Sequence, residues 1–254
     1  MSGLTPEIAR DWIASWDHQQ EGYLPDREER FTAIVDAVIA GVERDDPVIL
    51  DLGCGPGSLS QRLLARIPKA TVIGIDTDPL LLALGRAAHT DLSGLSFATL
   101  DLARPGWAAS LAVDGPADAA VSTTALHWLA PEQLGTMYAE LSTVLRPGGL
   151  LLNGDHFSVD ETPGIKNLQT RLVETFKQRR FGDDRPVDWA QWWDQVLADP
   201  VLSRITSERA TSGHHGSPSG MLSTHVEALR AAGFGEVGTL WQHGDNRILC
   251  GIRA

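Results

Sequence analysis

Short, nearly continuous apolar runs recur along the chain, and amphipathic segments separate them. The runs occupy residues 48–52, 70–76, 95–100, 117–122, 150–154, 236–241 and 246–252. Each has the length and apolar character of a strand. Between the runs, apolar residues recur at helical spacing, as Leu59, Leu63 and Ile67 do. The alternation of strand and helix predicts an α/β domain built on a mostly parallel sheet.

The strand–helix rhythm is absent from two parts of the chain. Residues 1–44 predict two helices ahead of the first strand, which we interpret as an N-terminal helical cap. Residues 158–220 predict an insertion with at least two helices, one of them rich in tryptophan. The repeating α/β domain is then formed by residues 45–157 together with residues 221–254.

A glycine-rich turn follows the first predicted strand. The strand ends in Asp51, and glycines stand at positions 53, 55 and 57. Glycine lets the backbone approach a ligand closely. A dinucleotide-binding fingerprint would need a glycine at position 58, where this chain has Ser58. Pro56 lacks the backbone N–H that a phosphate-binding turn would donate, and the Gly-Lys-Ser/Thr sequence of a P-loop is absent. Asp51 would repel a pyrophosphate and favour a cation, so the turn predicts a ligand with positive charge.

The pattern Asp-x-Gly-x-Gly-x-Gly at 51–57 resembles motif I of the class I S-adenosylmethionine (SAM)-dependent methyltransferases. Ser-Thr-Thr-Ala-Leu-His-Trp-Leu at 122–129 looks like the segment after the fourth strand in small-molecule methyltransferases of the trans-aconitate and ubiquinone-biosynthesis type. Leu-Arg-Pro-Gly-Gly-Leu-Leu at 145–151 is also typical of the family. The resemblance covers residues 45–155 strongly and 221–254 moderately. It implies a Rossmann-like class I fold: a seven-stranded, mostly parallel sheet with one antiparallel strand, helices on both faces and a helical lid insertion over the acceptor.

Three predicted strands end in aspartates, namely Asp51, Asp76 and Asp101. Ligands of open α/β sheets bind outside the carboxyl ends of the strands, where all three would lie. Asp76 offers two oxygens to the hydroxyls of a ribose. The resemblance implies that Asp101 accepts from the adenine amino group, while the backbone N–H beside it reaches a ring nitrogen. The candidate cofactor residues are Asp51, Gly53, Gly55, Gly57, Asp76, Thr77, Asp101, Leu102, Ser122 and Thr123.

Methyl transfer from SAM needs alignment of acceptor, methyl group and sulfur, because the sulfonium is already activated. A base is required only where the acceptor must lose a proton. The candidates for that base are His156 first, then His127, then Asp155, and the His214-His215 pair is a further candidate. His127 is also explained by packing beneath the cofactor. The candidate acceptor contacts are Trp128, Phe157, Trp192, Trp193, His214 and His215. Packing in the core is the alternative explanation for the tryptophans.

Charge and cysteine content narrow the possible partners. A net charge of −12 argues against a nucleic-acid partner, which usually meets a basic face. Two distant cysteines suggest no disulfide and fit a reducing cytoplasm. No apolar run is long enough for a membrane span. We therefore expect a cytoplasmic enzyme with a small-molecule acceptor, SAM as cofactor and no metal, with methylation of oxygen or nitrogen favoured.

Two other classes of function remain open from the sequence. One is a metal-assisted methyltransferase on the same fold, in which His156, His214, His215 and Asp155 would supply ligands, although their spacing fits no known motif. The other is a SAM-binding protein that does not transfer a methyl group. The sequence predicts neither the acceptor nor the oligomeric state.

Overall fold

The computed structural model describes residues 3–159, 163–206 and 220–254, and its strands form a single sheet. The strands are β1 (Val48–Leu52), β2 (Thr71–Asp76), β3 (Leu95–Thr99), β4 (Ala117–Thr123), β5 (Leu145–His156), β6 (Phe234–His243) and β7 (Asn246–Arg253). Their order in the sheet is β3-β2-β1-β4-β5-β7-β6. Strand β7 runs antiparallel between β5 and β6, and the other pairs are parallel. The expected Rossmann-like α/β architecture is confirmed.

Nine α-helices lie within the described part of the chain, and capping side chains mark the start of some of them. They are α1 (Pro6–Tyr23), α2 (Arg27–Gly41), α3 (Ser58–Arg66), α4 (Pro79–Ala88), α5 (Pro131–Val144), α6 (Pro163–Phe181), α7 (Trp189–Ala198), α8 (Leu202–Thr206) and α9 (Leu222–Ala231). At the start of α1, the Thr5 hydroxyl accepts from the Ile8 N–H at 3.3 Å. At the start of α4, Asp78 accepts from two backbone N–H groups. Each cap satisfies donors that the first helical turn leaves without partners.

Helices cover both faces of the sheet. Along β1, Ile49 joins one buried apolar cluster and Leu50 joins the other, because successive side chains of a strand point to opposite faces. Helices α2 and α3 complete the first cluster, and α5 and α9 complete the second. This double burial explains why the central strands read as continuous apolar runs.

The fifth strand is longer than its apolar run predicts. Strand β5 begins at Leu145, which pairs with Ala117 of β4, whereas the sequence indicated a start near Leu150. The register then shifts, and regular pairing resumes between Leu150 and Ala119. Within the irregular stretch Gly148 has φ +72°, a left-handed conformation that glycine adopts without strain. The proline–glycine segment therefore forms a bulged strand entrance and not a simple helix stop.

Helix α1 and the helices of the insertion meet over α4. Ala9 and Ile13 of α1 join a third apolar cluster with side chains of α4, α7 and α8. Ser58, the first residue of α3, donates from its hydroxyl to Asp17 of α1 at 2.6 Å. Helix α1 is thereby fixed beside the glycine turn that precedes α3.

Candidate active site

The glycine turn brings the end of β1 close to the segment after β4. Gly53, Gly55 and Gly57 have φ values of +70°, +54° and +87°. A Cβ at Gly53 would lie 2.3 Å from the Cβ of Ala125, so this position requires glycine for space as well as for conformation. The Gly55 N–H donates to Asp76 Oδ2 at 2.8 Å and ties the turn to the end of β2. The turn is therefore held from two sides.

Asp51 is a buried carboxylate below this turn. Its Oδ2 accepts from the Ser60 hydroxyl at 2.6 Å, while its Oδ1 has no hydrogen-bond partner within the described part of the chain. Burial raises the pKa of Asp51 to about 7. A buried carboxylate with a vacant oxygen is costly unless a donor or cation reaches it, so the geometry fits a cationic ligand group at this point.

Two further carboxylates lie along the same edge of the sheet. Asp76 accepts from the backbone N–H groups of Gly55, Thr77 and Asp78 at 2.7–2.9 Å. Burial raises the pKa of Asp76 despite these bonds. Asp101 follows β3 and keeps 41% of its side chain exposed. The expected alignment of three acidic strand ends is present, and the outermost one is the most open.

His127 and Asp155 form a pair where β4 and β5 end. His127 Nδ1 lies 2.9 Å from Oδ1 and 3.0 Å from Oδ2 of Asp155. The carboxylate is buried, whereas 28% of the imidazole side chain is exposed. Burial alone would raise the pKa of Asp155, but the hydrogen bond and charge of His127 and the charge of Arg30 outweigh it and lower that pKa. Asp155 is therefore ionised and holds a proton on Nδ1, which leaves Nε2 as the other polar atom of the ring.

The backbone between β4 and His127 is strained. Thr124 has φ +49°, the only non-glycine residue with positive φ among those the structure describes. A β-branched residue is disfavoured in this region, and such strain concentrates at functional sites. The Thr124 N–H donates to the Gly154 carbonyl at 2.9 Å and closes the ends of β4 and β5 onto each other. The strained turn carries the chain directly into the short 3₁₀ helix (Leu126–Trp128) that bears His127.

Known methyltransferases are similar to this chain in sequence and in fold. Residues 49–149 match the family model described as a methyltransferase domain. A trans-aconitate 2-methyltransferase of Methylobacterium nodulans is 35% identical over 214 residues, 80% of this chain and 77% of the relative. The chain belongs to the class I SAM-dependent methyltransferases of the small-molecule type. A second trans-aconitate 2-methyltransferase, of Azoarcus sp. (strain BH72), is 36% identical over 161 residues, 60% of this chain and 58% of that relative.

A comparison with a solved methyltransferase structure supports the assignment of the fold. A magnesium protoporphyrin IX methyltransferase of Synechocystis PCC 6803, solved with bound SAH, superposes with a TM-score of 0.55 at 18% identity. The match covers 92% of this chain and 87% of that chain. At this identity the likeness shows the shared fold. The family membership identifies SAM as the cofactor of this methyltransferase, as the resemblance of the glycine turn to motif I implies.

In this methyltransferase the His156 imidazole pairs with a different carboxylate from the one that holds His127, although its backbone N–H donates to Asp155. His156 Nδ1 lies 3.3 Å from Asp245 Oδ1, on the turn between β6 and β7. It also lines a small cavity of about 10 Å³, room for about one water. The other lining residues are Tyr23, Leu24, Pro25, Asp26, Val173, Phe176, His243 and Asn246. The geometry thus favours His127 over His156 as the histidine coupled to a carboxylate at the strand ends, and the catalytic assignment stays a prediction.

Three of the six predicted acceptor contacts, Phe157, Trp192 and Trp193, are packed inside the protein. Trp192 has no exposed surface and lies against Trp12 and Trp16, with ring centroids 5.7 Å and 5.0 Å away. Trp193 is buried in the same cluster, and Phe157 is buried with its ring edge against His225. Their environment favours the core-packing alternative over acceptor contact in this arrangement.

Trp128 is the predicted acceptor contact that remains open. Its side chain is 44% exposed, and its ring centroid lies 4.8 Å from that of His127. An exposed indole beside the imidazole suits an acceptor with planar or apolar surface. His214 and His215 lie outside the described residues. Their predicted contribution to the acceptor site stays a prediction.

The remaining cofactor candidates are on the expected elements. Ser122 donates from its hydroxyl to the Leu52 carbonyl at 2.7 Å, so it joins β4 to β1 below the glycine turn. Thr123 ends β4, and its hydroxyl accepts from Arg30. Leu102 directly follows Asp101 and is partly exposed. These positions surround the carboxyl ends of β1, β3 and β4, where the fold binds its ligands.

Arg30 is a site residue that the sequence did not reveal. It lies in α2, has no exposed surface, and donates to Asn246 Oδ1 at 2.9 Å and to the Thr123 hydroxyl. Burial lowers the pKa of the Arg30 guanidinium to about 10, so it remains charged at neutral pH. Its partners lie 93 and 216 positions away along the chain. No local pattern could have indicated this contact.

Metal and membrane features are absent from the described residues. No group of three or more His, Cys, Asp or Glu side chains among them is arranged to hold a metal ion. No helix in the same part of the chain has the length and apolar character to cross a bilayer. The described residues therefore do not support the metal-assisted alternative. Two of its expected ligands, His214 and His215, lie outside the described residues.

Proposed function

We propose that this methyltransferase esterifies a carboxylate of a small polycarboxylate acceptor, with trans-aconitate as the first candidate. The relatives described above are named trans-aconitate 2-methyltransferases and are 35–36% identical to this chain. The observation that carries the proposal is the His127–Asp155 pair. In the proposed complex the imidazole donates from Nδ1 to Asp155 and from Nε2 to the acceptor carboxylate. That group suits an anionic oxygen nucleophile.

The proposed reaction needs no base. A carboxylate oxygen of the acceptor attacks the methyl carbon of SAM, the C–O bond forms and the C–S bond breaks. The products are a methyl ester and S-adenosylhomocysteine, and the positive sulfonium and negative carboxylate are both neutralised. His127 donates a hydrogen bond that orients the attacking carboxylate, and Asp155 keeps the ring in that orientation. Alignment is the main task of the protein in such a displacement.

The cofactor contacts are part of the same proposal. We expect Asp51 to accept from the ammonium of SAM, Asp76 from its ribose hydroxyls, and Asp101 from its adenine amino group. The vacant Oδ1 of Asp51 supports the first contact. In this arrangement residues 1–44 cover the cofactor, residues 45–157 with 221–254 bind it, and residues 158–220 enclose the acceptor. The acceptor would then lie towards the ends of β4 and β5.

The pH dependence of SAM binding tests the Asp51 contact. With its pKa near 7, Asp51 is mostly protonated at pH 6 and mostly ionised at pH 8. Only the ionised form pairs with an ammonium, so SAM affinity should rise with pH and be about tenfold higher at pH 8 than at pH 6. Calorimetry on the parent and on Asp51→Asn measures this. The variant should bind weakly with little pH dependence, and an equally steep profile in the variant would assign the titration to another group.

Asp76→Ala should weaken SAM binding by roughly ten- to a hundredfold, because a hydrogen bond to a charged acceptor is worth about 1.5–3 kcal/mol. Asp76 also accepts from the Gly55 N–H, so the glycine turn loses an anchor in the same variant. Asp101→Ala is the comparison variant and should cost less, because the backbone contact of Leu102 survives. Titration calorimetry with SAM separates the two. Unchanged affinity in Asp76→Ala would remove Asp76 from the ribose site.

A hydroxyl acceptor is the second candidate function, and the same His127–Asp155 pair supports it. In that reaction the neutral Nε2 would take the hydroxyl proton, as in other histidine–carboxylate pairs. The product would be a methyl ether. The two candidates differ in whether His127 gives a hydrogen bond or removes a proton.

An acceptor panel with analysis of the products distinguishes these functions. The full chain is incubated with SAM and with tricarboxylates, dicarboxylates, monocarboxylates, phenols, alcohols and amines, and S-adenosylhomocysteine is quantified. Methyl esters release methanol in mild alkali, whereas methyl ethers and methylamines do not. Turnover of trans-aconitate to an alkali-labile product supports the proposal. Turnover confined to phenols or amines would refute it.

A further inference from the structure

Arg30 has unusual hydrogen-bond partners for a buried charge. Removing a guanidinium from water is expensive, and buried arginines are normally paired with carboxylates. In the described residues the hydrogen bonds of Arg30 go to the Asn246 side-chain oxygen and to the Thr123 hydroxyl, both of which are neutral. Its Nε is buried without a partner there. The cation therefore retains capacity for a negatively charged ligand.

The nearby carboxylates have other partners. Asp26 accepts from His243 at 2.7 Å and from the Asn246 amide at 2.9 Å. Asp155 accepts from His127 and from the His156 N–H. Both carboxylates stabilise the Arg30 charge through space, yet their recorded hydrogen bonds go elsewhere. An incoming carboxylate would exchange with neutral partners of Arg30 and would leave the histidine–aspartate pairs intact.

The surroundings of Arg30 connect it to the acceptor side of the sheet. A Cβ at Gly154 would lie 2.8 Å from Arg30 Cδ, so the glycine of β5 makes room for this side chain. Thr123 adjoins the strained Thr124 on the chain segment that leads to His127. Asn246 lines the small cavity that also contains His156. Arg30 thus stands between the His127 segment and that cavity.

One wall of the cavity is formed by α6, whose recorded contacts are mostly at its surface: Gln169 donates to the Gly244 carbonyl at 3.1 Å, and the Phe176 ring centroid lies 5.0 Å from that of His243. Helix α6 has no buried side chain, although its Val173 and Phe176 line the cavity. Arg180 donates to the Pro25 carbonyl at 2.6 Å and pairs with Glu21 at 3.1 Å. Elements with little buried surface open at low cost in free energy. Movement of α6 would enlarge the cavity beside Asn246 and give an acceptor a path to Arg30.

We propose that Arg30 is a specificity residue that binds a second carboxylate of the acceptor, one that is not methylated. The guanidinium exchanges its bond to Asn246 or Thr123 for the two oxygens of that carboxylate, in the fork geometry that arginine offers. This inference rests on the proposed esterification of a polycarboxylate. It makes the enzyme selective for acceptors with at least two carboxylates, because a monocarboxylate would leave Arg30 with its neutral partners.

The test compares trans-aconitate with crotonate, which has a single carboxylate. Arg30→Gln should lower kcat/KM for trans-aconitate by roughly ten- to a hundredfold, the value of a charged hydrogen bond. The kcat/KM for crotonate and the Kd for SAM should change by less than about threefold. Arg30→Lys retains a buried cation without the fork and should lie between the parent and Arg30→Gln. Arg146→Gln, which breaks an ion pair with Asp118 near the start of β5, is the matched charge-loss control.

A binding measurement separates this inference from the proposed reaction. Thermal unfolding of the S-adenosylhomocysteine complex is followed with and without trans-aconitate, so no methyl transfer is needed. Stabilisation that Arg30→Gln abolishes supports the inference, even where the parent produces no ester. Equal losses for trans-aconitate and crotonate, or unchanged stabilisation in Arg30→Gln, would refute it while leaving the esterification proposal standing. Absence of binding and turnover in the parent would refute both.

Discussion

Trp192→Ala is expected to lower the free energy of unfolding by about 3–5 kcal/mol, the usual cost of truncating a buried aromatic side chain. Trp192 has no exposed surface, and its indole packs against Trp12 and Trp16 of α1 and against Trp193 of its own helix. Removing it leaves a cavity at the junction of α1, α4 and α7. A loss of this size is a large fraction of the stability of a typical domain.

Denaturant titration with S-adenosylhomocysteine bound and unbound measures this loss. Leu197→Ala on the same helix is the matched control, because Leu197 is 58% exposed and its truncation should change stability by less than about 0.5 kcal/mol. The KM of the acceptor should be unchanged in the Trp192→Ala protein that remains folded. A raised KM with little loss of stability would instead identify Trp192 as an acceptor contact.

The tryptophans of α7 illustrate what the sequence pattern does not predict, namely which element packs against an apolar helix face. Their helical spacing predicts an apolar helix face, and that face exists on α7. What covers the face depends on α1, more than 160 residues earlier, and on the α4 helix of the core. An apolar surface that closes on a neighbouring element and one that lines an acceptor pocket have the same sequence pattern. Only the packing partner distinguishes them.

The arrangement of the glycine turn and of the aspartates at the strand ends can be predicted from the sequence because its signals are local. Asp51 and the glycines lie within seven consecutive positions, and each has a conformational or electrostatic reason to be there. Aspartates at strand ends converge because parallel strands end on one edge of the sheet. The parallel topology alone therefore brings these aspartates together, although successive ones are 25 positions apart in the sequence. The single antiparallel strand is implied by the family resemblance, and the structure confirms it as β7.

The acceptor end was less readable because its contacts are long-range. The sequence favours His156 over His127, and it places Asp155-His156 at the carboxyl end of the predicted fifth strand, opposite the glycine turn. The structure pairs His127 with Asp155 across 28 positions and turns His156 towards Asp245. Arg30, which we propose as a further acceptor contact, lies in α2, ahead of the first strand. These pairings depend on the direction in which each side chain points at the strand ends. A prediction of strands and helices does not specify that direction.

Asp155→Asn is expected to lower kcat/KM for the acceptor by about a hundredfold, at the lower end of the range for acid–base and orienting groups. The asparagine keeps the size of the side chain and can still accept from the His156 N–H. It lacks the negative charge that holds the Nδ1 proton of His127 and stabilises an imidazolium. His127 would then adopt the wrong tautomer or orientation towards the acceptor. The Kd for SAM should stay within about threefold, since Asp155 is not among the predicted cofactor residues.

A double-mutant cycle decides whether Asp155 acts through His127. His127→Asn, Asp155→Asn and the combined variant are compared by steady-state kinetics with the acceptor that the panel identifies. Groups that act as a unit give strongly non-additive losses, so the double variant should be about as impaired as His127→Asn alone. Asp245→Asn, which removes the corresponding carboxylate partner of His156, is the matched control and should retain kcat. Additive losses, or a larger effect in Asp245→Asn, would move the orienting role from His127 to His156 and reverse the order that the structure favours.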